Sequence, residues 1–184
     1  MAKFFQHLLN RNLAQVVRFN NRPQHFPESV AEHSYYVAYF GLLLCKLLDK
    51  KNIRVDSTKV MQMALIHDSE EGLTGDILNP FKHHNDKVFS AIREVNKEMI
   101  KEVFSDLPKD LATDLEDLWK EENAQTSLES QVVKISDRLS LLSKCNEEIE
   151  AGNDYFKDIY SRELKELKKL DWVWWVKVRK EVLN

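Results

Sequence analysis

Four side chains of this sequence, His33, His67, Asp68 and Asp137, have the types and placing to hold a divalent cation. His33 precedes Val37, Phe40 and Leu44 at helix spacing, so it stands in the first turn of an apolar, inward-facing stripe. Alone, it reads as a core histidine satisfied by a backbone carbonyl. Val60, Ala64 and His67 share a second helical face. At 3.6 residues per turn, Glu71 lies about 40° from His67 and Asp68 about 100°. His67 and Glu71 are therefore expected to look the same way, with Asp68 flanking them. Asp137 falls mid-helix, one turn from both Val133 and Leu141. A carboxylate beside a buried stripe costs on the order of several kcal/mol unless a cation meets it. Arg138 points elsewhere, so that partner is expected from another helix. Two neutral imidazoles and two carboxylates carry two negative charges, which neutralise one divalent ion. The mixed nitrogen and oxygen set suits Mn, Fe, Co, Ni or Zn better than Mg or Ca. Without a thiolate, a closed structural zinc site is disfavoured. Four ligands in an octahedral shell leave two positions for water and substrate.

The elements that must position these groups read as helices throughout. Apolar residues at 5, 9, 13, 16 and 17 predict a first helix from Phe4 to about Phe19, stopped by Asn20-Asn21-Arg22-Pro23. Ser29-Val30-Ala31-Glu32 has the spacing of a capping box and opens the helix that carries His33. Asp56 or Ser57 caps a third helix, Thr58 to about Glu71, ending at Gly72. Further helical patterns cover roughly 86–104, 108–122, 127–150 and 154–182, the last broken near Asp171. No alternating strand pattern of useful length appears. The expectation is one all-α domain over 1–184, a compact helical bundle with its motifs at about 4–155 and C-terminal helices at 154–182.

The local text around the four ligands carries a resemblance. Pro27-Glu28-Ser29-Val30-Ala31-Glu32-His33-Ser34, His67-Asp68-Ser69-Glu70-Glu71-Gly72-Leu73-Thr74-Gly75-Asp76 and Lys134-Ile135-Ser136-Asp137 are similar to the YfbR-like 5′-deoxynucleotidases, members of the HD-domain phosphohydrolases. Arg18-Phe19, just after the first helix, fits the same pattern. The resemblance implies a metal-dependent phosphomonoesterase acting on deoxyribonucleoside 5′-monophosphates, usually a homodimer, with cobalt or manganese supporting activity. It implies His33, His67, Asp68 and Asp137 as metal ligands, Glu71 as the catalytic glutamate, Arg18 on the phosphate, and Phe19 and Asp76 on the sugar. Glu71 can orient or deprotonate the attacking water, or protonate the leaving 5′-oxygen. The guanidinium of Arg18 is a planar fork suited to phosphate oxygens. Relatives carry Trp where this chain has Phe19. The phenyl ring keeps the aromatic face but loses the indole N–H, so weaker discrimination between deoxyribose and ribose is expected.

Composition narrows the alternatives. With 184 residues, 43% hydrophobic and 31% charged, the chain has a globular balance. A net charge of −3, with Lys and Arg scattered among acids, argues against duplex nucleic acid as partner. Cys45 and Cys145 make neither a zinc motif nor a disulfide framework, which fits a reducing, cytoplasmic location. No apolar run is long enough to span a bilayer, and the first residues turn polar before a signal-peptide core could form. His83-His84 reads as a solvated loop pair, and the Trp172–Trp175 stretch as core or dimer surface. A small nucleoside triphosphohydrolase or phosphodiesterase keeps the same site and would draw extra cations from Lys82, Arg93 and Lys97. A non-catalytic, metal-stabilised binding module is the third reading, and Glu71 argues against it.

Overall fold

The N-terminal segment already departs from the pattern of its apolar residues. In a computed structural model of the chain, which describes residues 3–184, α1 runs only from Phe4 to Leu9, followed by a 3-10 turn at Asn12–Ala14. The Asn10 side chain accepts from the N–H of Asn12 (2.8 Å) and turns the chain where a continuous helix was expected. Beyond it, Val17 pairs with Ser29 in an isolated antiparallel bridge. This clasp places Arg18 and Phe19 beside the start of α2 (Val30–Lys50).

At the start of α2, Ser29 accepts from the Glu32 N–H (3.2 Å) and Glu32 accepts from the Ser29 N–H (2.8 Å), the capping box anticipated from the sequence. Its buried stripe, Val30, His33, Val37, Gly41, Leu44 and Leu48, faces α3 (Ser57–Ile66) and α8 (Leu128–Glu150). Gly41 permits the closest approach: a Cβ there would come within 3.0 Å of Val60 Cγ1. Helix α3 is capped by Asp56 and stops at Ile66, five residues earlier than expected. A turn over 67–70 follows, then α4 (Glu71–Thr74), α5 (Asn79–Lys82) and α6 (Asp86–Val103). The indole N–H of Trp119 explains the break. Trp119 sits on α7 (Lys109–Ala124) and donates to the His67 carbonyl (3.2 Å) and to Glu70 Oε2 (2.9 Å), pulling the turn off the helix axis.

Helix α8 (Leu128–Glu150) runs through the centre against α2 and carries Asp137 and Ser140. The C-terminal pattern breaks where expected, into α9 (Lys157–Lys169) and α10 (Val173–Val182). Leu167, Trp174, Trp175 and Val178 from these helices share one buried cluster with Val37, Leu44, Val60 and Ile135. Trp174 and Trp175 are thus core, each with its indole N–H satisfied, by Gln131 and by the Leu167 carbonyl. The described residues contain helices and no strand, and none of those helices is long and apolar enough to cross a membrane. Both cysteines are buried free thiols.

Candidate metal centre and active site

Three elements converge on one point. His33 comes from the first turn of α2, His67 and Asp68 from the turn after α3, and Asp137 from mid-α8. The His33 Nε2 lies 3.3 Å from His67 Nε2, 3.6 Å from Asp68 Oδ2 and 3.3 Å from Asp137 Oδ1. His67 Nε2 is 3.1 Å from Asp68 Oδ2. Potential ligand atoms of His33, His67 and Asp68 lie within 4.8 Å of one another. Asp137 stands at the edge of this group, meeting it through His33.

The outward-facing nitrogens show how the imidazoles are held. His67 Nδ1 is 2.9 Å from the Ala64 carbonyl, which can only accept, so Nδ1 carries the hydrogen and Nε2 points at the carboxylates. His33 Nδ1 has two neighbours, Ser140 Oγ at 3.0 Å and an Arg18 N–H at 2.6 Å. Two imidazole nitrogens facing each other at 3.3 Å among carboxylates need a positive charge between them. Burial opposes protonation of His67, but the Asp68 carboxylate, with Asp137 and Glu122, outweighs it and lifts His67 to about 10. Burial and the Arg18 charge push His33 down to about 4. The donor set fits a divalent cation: two imidazole nitrogens and two carboxylates face one another within 3.1–3.6 Å.

Asp137 differs from expectation. Its nearest cation is Lys134, one turn earlier on its own helix, at 2.7 Å, while the contact from another helix is His33. An i,i+3 pair of this kind forms because the long lysine side chain bends along its own helix surface. Arg138 points away, as expected, and pairs with Glu163. Asp68 flanks His67, as expected, but from a turn and not from the helix. With α3 ending at Ile66, the turn brings Asp68, and not only His67, into the cluster.

Glu71 opens α4 and is partly buried, with Oε2 buried and unpartnered. Burial, with Asp68, Asp76 and Glu70 nearby, pushes its carboxyl up to about 10. A carboxyl raised in this way favours the protonated form that a general acid needs. Arg18, Phe19 and Asp76 come together at the neighbouring edge. Arg18 is held by Glu28 at 2.8 Å and lies over the Phe19 ring, 5.3 Å from its centroid. Phe19 adopts φ 53°, its N–H donates to Asp76 Oδ2 (3.1 Å), and its ring meets Phe156 edge-on at 5.4 Å. Asp76 follows Gly75, whose φ of 73° makes the turn that aims this carboxylate.

The sequence reading passed over several supporting residues. Ser140 sits on α8, one turn from Asp137, and looked like an ordinary helix serine. Glu28 pins Arg18, and Glu70 is buried between Trp119 and Asn96. Glu122, buried on α7, is pushed up to about 7, chiefly by desolvation. Only the packing of distant helices makes these visible. His83 is exposed in the turn after α5, as expected of a solvated loop pair, and there it also stacks on Phe89 and lines a cavity that reaches Asp68 and Asp137.

Solved structures place this arrangement in a class. The chain superposes on an HD-domain phosphohydrolase from Listeria innocua with a TM-score of 0.82 and 28% identity, covering 97% of this chain and 84% of that one. A Pyrococcus horikoshii protein gives 0.81 at 26% identity, covering 98% and 96%. A cyanophage S-2L HD phosphohydrolase, bound to dA and one catalytic zinc ion, shares the fold at 0.63 and 14% identity, with 98% and 94% covered. The fold is that of the HD-domain phosphohydrolases. Within that class, residues 3–179 match the 5′-deoxynucleotidase YfbR-like family, and a Yersinia pestis protein named 5′-deoxynucleotidase is 32% identical over 157 residues, 85% of this chain and 78% of its own length. The chain belongs to the YfbR-like 5′-deoxynucleotidase family.

Proposed function

We propose that this protein removes the 5′-phosphate from deoxyribonucleoside 5′-monophosphates, using one divalent transition-metal ion held by His33, His67, Asp68 and Asp137. The observation that carries the reading is the convergence of two inward Nε2 atoms and two carboxylates at 3.1–3.6 Å. Family membership and the name of the Yersinia relative support the substrate class. Manganese or cobalt suits the donor set. Bound there, such an ion lowers the pKa of a coordinated water and draws charge from the phosphate.

The chain's own residues do the rest. For His33 to ligate through Nε2, its Nδ1 must carry the hydrogen, and Ser140 Oγ is placed to accept it. Arg18 can then no longer donate to that nitrogen. It remains held by Glu28, with its free N–H groups available to phosphate oxygens. Glu71 holds a proton beside the reacting phosphate and delivers it to the leaving 5′-oxygen, or orients the attacking water. Phe19 and Asp76 form the sugar edge of the site. The buried free thiols fit a cytoplasmic location. The homodimer is proposed to use the outer face of α2, where Tyr35, Tyr36, Tyr39 and Leu43 stand exposed.

A panel of deoxy- and ribonucleoside mono- and triphosphates, incubated with manganese or cobalt and read for the released product, tests this. Orthophosphate released from the deoxymonophosphates, and its loss by at least a hundredfold in Glu71→Ala with metal still bound, is expected. Full activity in Glu71→Ala contradicts the mechanism, and release of tripolyphosphate with no turnover of monophosphates contradicts the substrate class.

A further inference from the structure

A cavity of about 330 Å³ opens from the metal centre toward α5 and α6. Its floor includes His67, Asp68 and Asp137, and none of Arg18, Phe19, Glu71 and Asp76 lines it. It therefore extends from the proposed metal site away from the sugar edge. Lys82 closes α5, while Arg93 and Lys97 lie one turn apart on α6, and all three line its wall.

Lys101, Lys120, Lys134 and Lys144 each meet a carboxylate within 4.0 Å, whereas among the described residues Lys82, Arg93 and Lys97 pair with none. Arg93 is positioned without being neutralised: its guanidinium lies 5.7 Å from the Phe89 ring centroid and makes one long contact, 3.5 Å, to the Asn123 carbonyl. Asn96, on the same helix, lines the cavity and is 9% exposed. Its amide nitrogen is committed to Glu70 (3.0 Å), and its buried Oδ1 has no partner. A buried acceptor of that kind calls for a donor, which an ionised phosphate oxygen is not, so Asn96 takes no part in holding an anion. The wall thus offers unspent positive charge from Lys82, Arg93 and Lys97, while the floor, with Glu70 and Glu122, is acidic. An anion enters favourably only when a cation sits at the four-ligand site.

We propose that this cavity is a second phosphate subsite, which takes the β-phosphate of a nucleoside 5′-diphosphate whose α-phosphate sits at the metal. The proposal rests on the nucleotidase reading for the position of the first phosphate. It makes diphosphates tight ligands of the site and gives Lys82, Arg93 and Lys97 a role in selecting phosphate number.

Calorimetric titration of Glu71→Gln protein at fixed, saturating free manganese tests it, with dAMP and dADP as probes. The expected result is at least tenfold tighter binding of dADP. Adding Arg93→Gln and Lys97→Gln, both exposed positions that spare the core, should bring dADP to the affinity of dAMP and change dAMP by less than twofold. Without manganese the preference should vanish. Equal affinities in the parent protein, or equal weakening of both nucleotides in the variant, overturn the subsite. Should dAMP fail to bind, the nucleotidase reading fails, and pyrophosphate against orthophosphate in the same two proteins decides the subsite. A tenfold preference lost in the variant then supports it, and no preference overturns it.

Discussion

Ser140 and the Ala64 carbonyl do the same work from two directions: each engages the outer nitrogen of an imidazole whose inner nitrogen faces the carboxylates. The Ala64 contact is backbone and cannot be mutated away, but Ser140 can. Ser140→Ala should weaken manganese or cobalt binding by about 10- to 100-fold, because His33 is then free to take the wrong tautomer or rotate. Calorimetric metal titration reads this directly, and unchanged affinity would show that packing alone orients the ring. Phe19 offers a second test. Its ring is locked against Phe156, so Phe19→Trp should keep the aromatic contact and add a donor. The ratio of turnover for deoxy- over ribonucleotides should then rise, measured as kcat/KM on matched pairs. At this scale the sequence showed the proposed ligands and little of what surrounds them. His33, His67, Asp68 and Asp137 stand out because charged and imidazole groups rarely sit on apolar stripes. Ser140, Glu28 and Glu122 have no such signature, since their roles come from contacts between residues far apart in the chain.

At the scale of elements, the segment before α2 is held by one carboxylate. Glu148, fully buried near the end of α8, accepts from the backbone N–H groups of His25 and Phe26 (both 2.9 Å), from Lys144 (2.9 Å) and from Asn153 (2.8 Å). That fixes the stretch leading to Glu28, and through Glu28 it fixes Arg18. Burial alone would raise the Glu148 carboxyl, but these bonds bring it from 4.5 down to about 2. Its contribution to stability is therefore complete above about pH 4.5 and is lost as pH falls through about 2. Glu148→Ala should cost about 3 kcal/mol at neutral pH, since it leaves the backbone N–H groups of His25 and Phe26 without their acceptor and Lys144 with Glu147 as its one remaining carboxylate. Denaturant unfolding at pH 7 and pH 3 checks both statements, and a variant as stable as the parent at pH 7 would contradict them. The helices from α6 onward and the break before α10 were legible from periodicity and capping residues. The early end of α3 was not: nothing local marks Ile66 as a stop, and the Trp119 indole that captures the His67 carbonyl lies 52 residues away.

For the whole molecule, the shared cluster of Trp175, Leu167, Val37 and Ile135 ties the C-terminal helices to the motif-bearing core. We propose that residues 3–184 unfold as one unit. Thermal unfolding should then show a single transition, and its midpoint should rise on adding manganese because only the folded chain presents the assembled site. Two separate transitions would divide α9 and α10 from the rest. The exposed tyrosines of α2 make a further claim at this scale: Tyr35→Asp with Tyr39→Asp should shift sedimentation from dimer to monomer with the helical content unchanged. An unaltered sedimentation coefficient would place the dimer contact elsewhere or remove it.

The most direct measurement is a metal titration of chelator-stripped protein, following bound ion per chain and phosphate release from dAMP in the same samples. The four-ligand site predicts one ion per chain, activity rising in proportion to occupancy, and neither binding nor activity in His67→Ala or Asp68→Ala. Undiminished phosphate release from stripped protein, or normal ion binding in those variants, would contradict it.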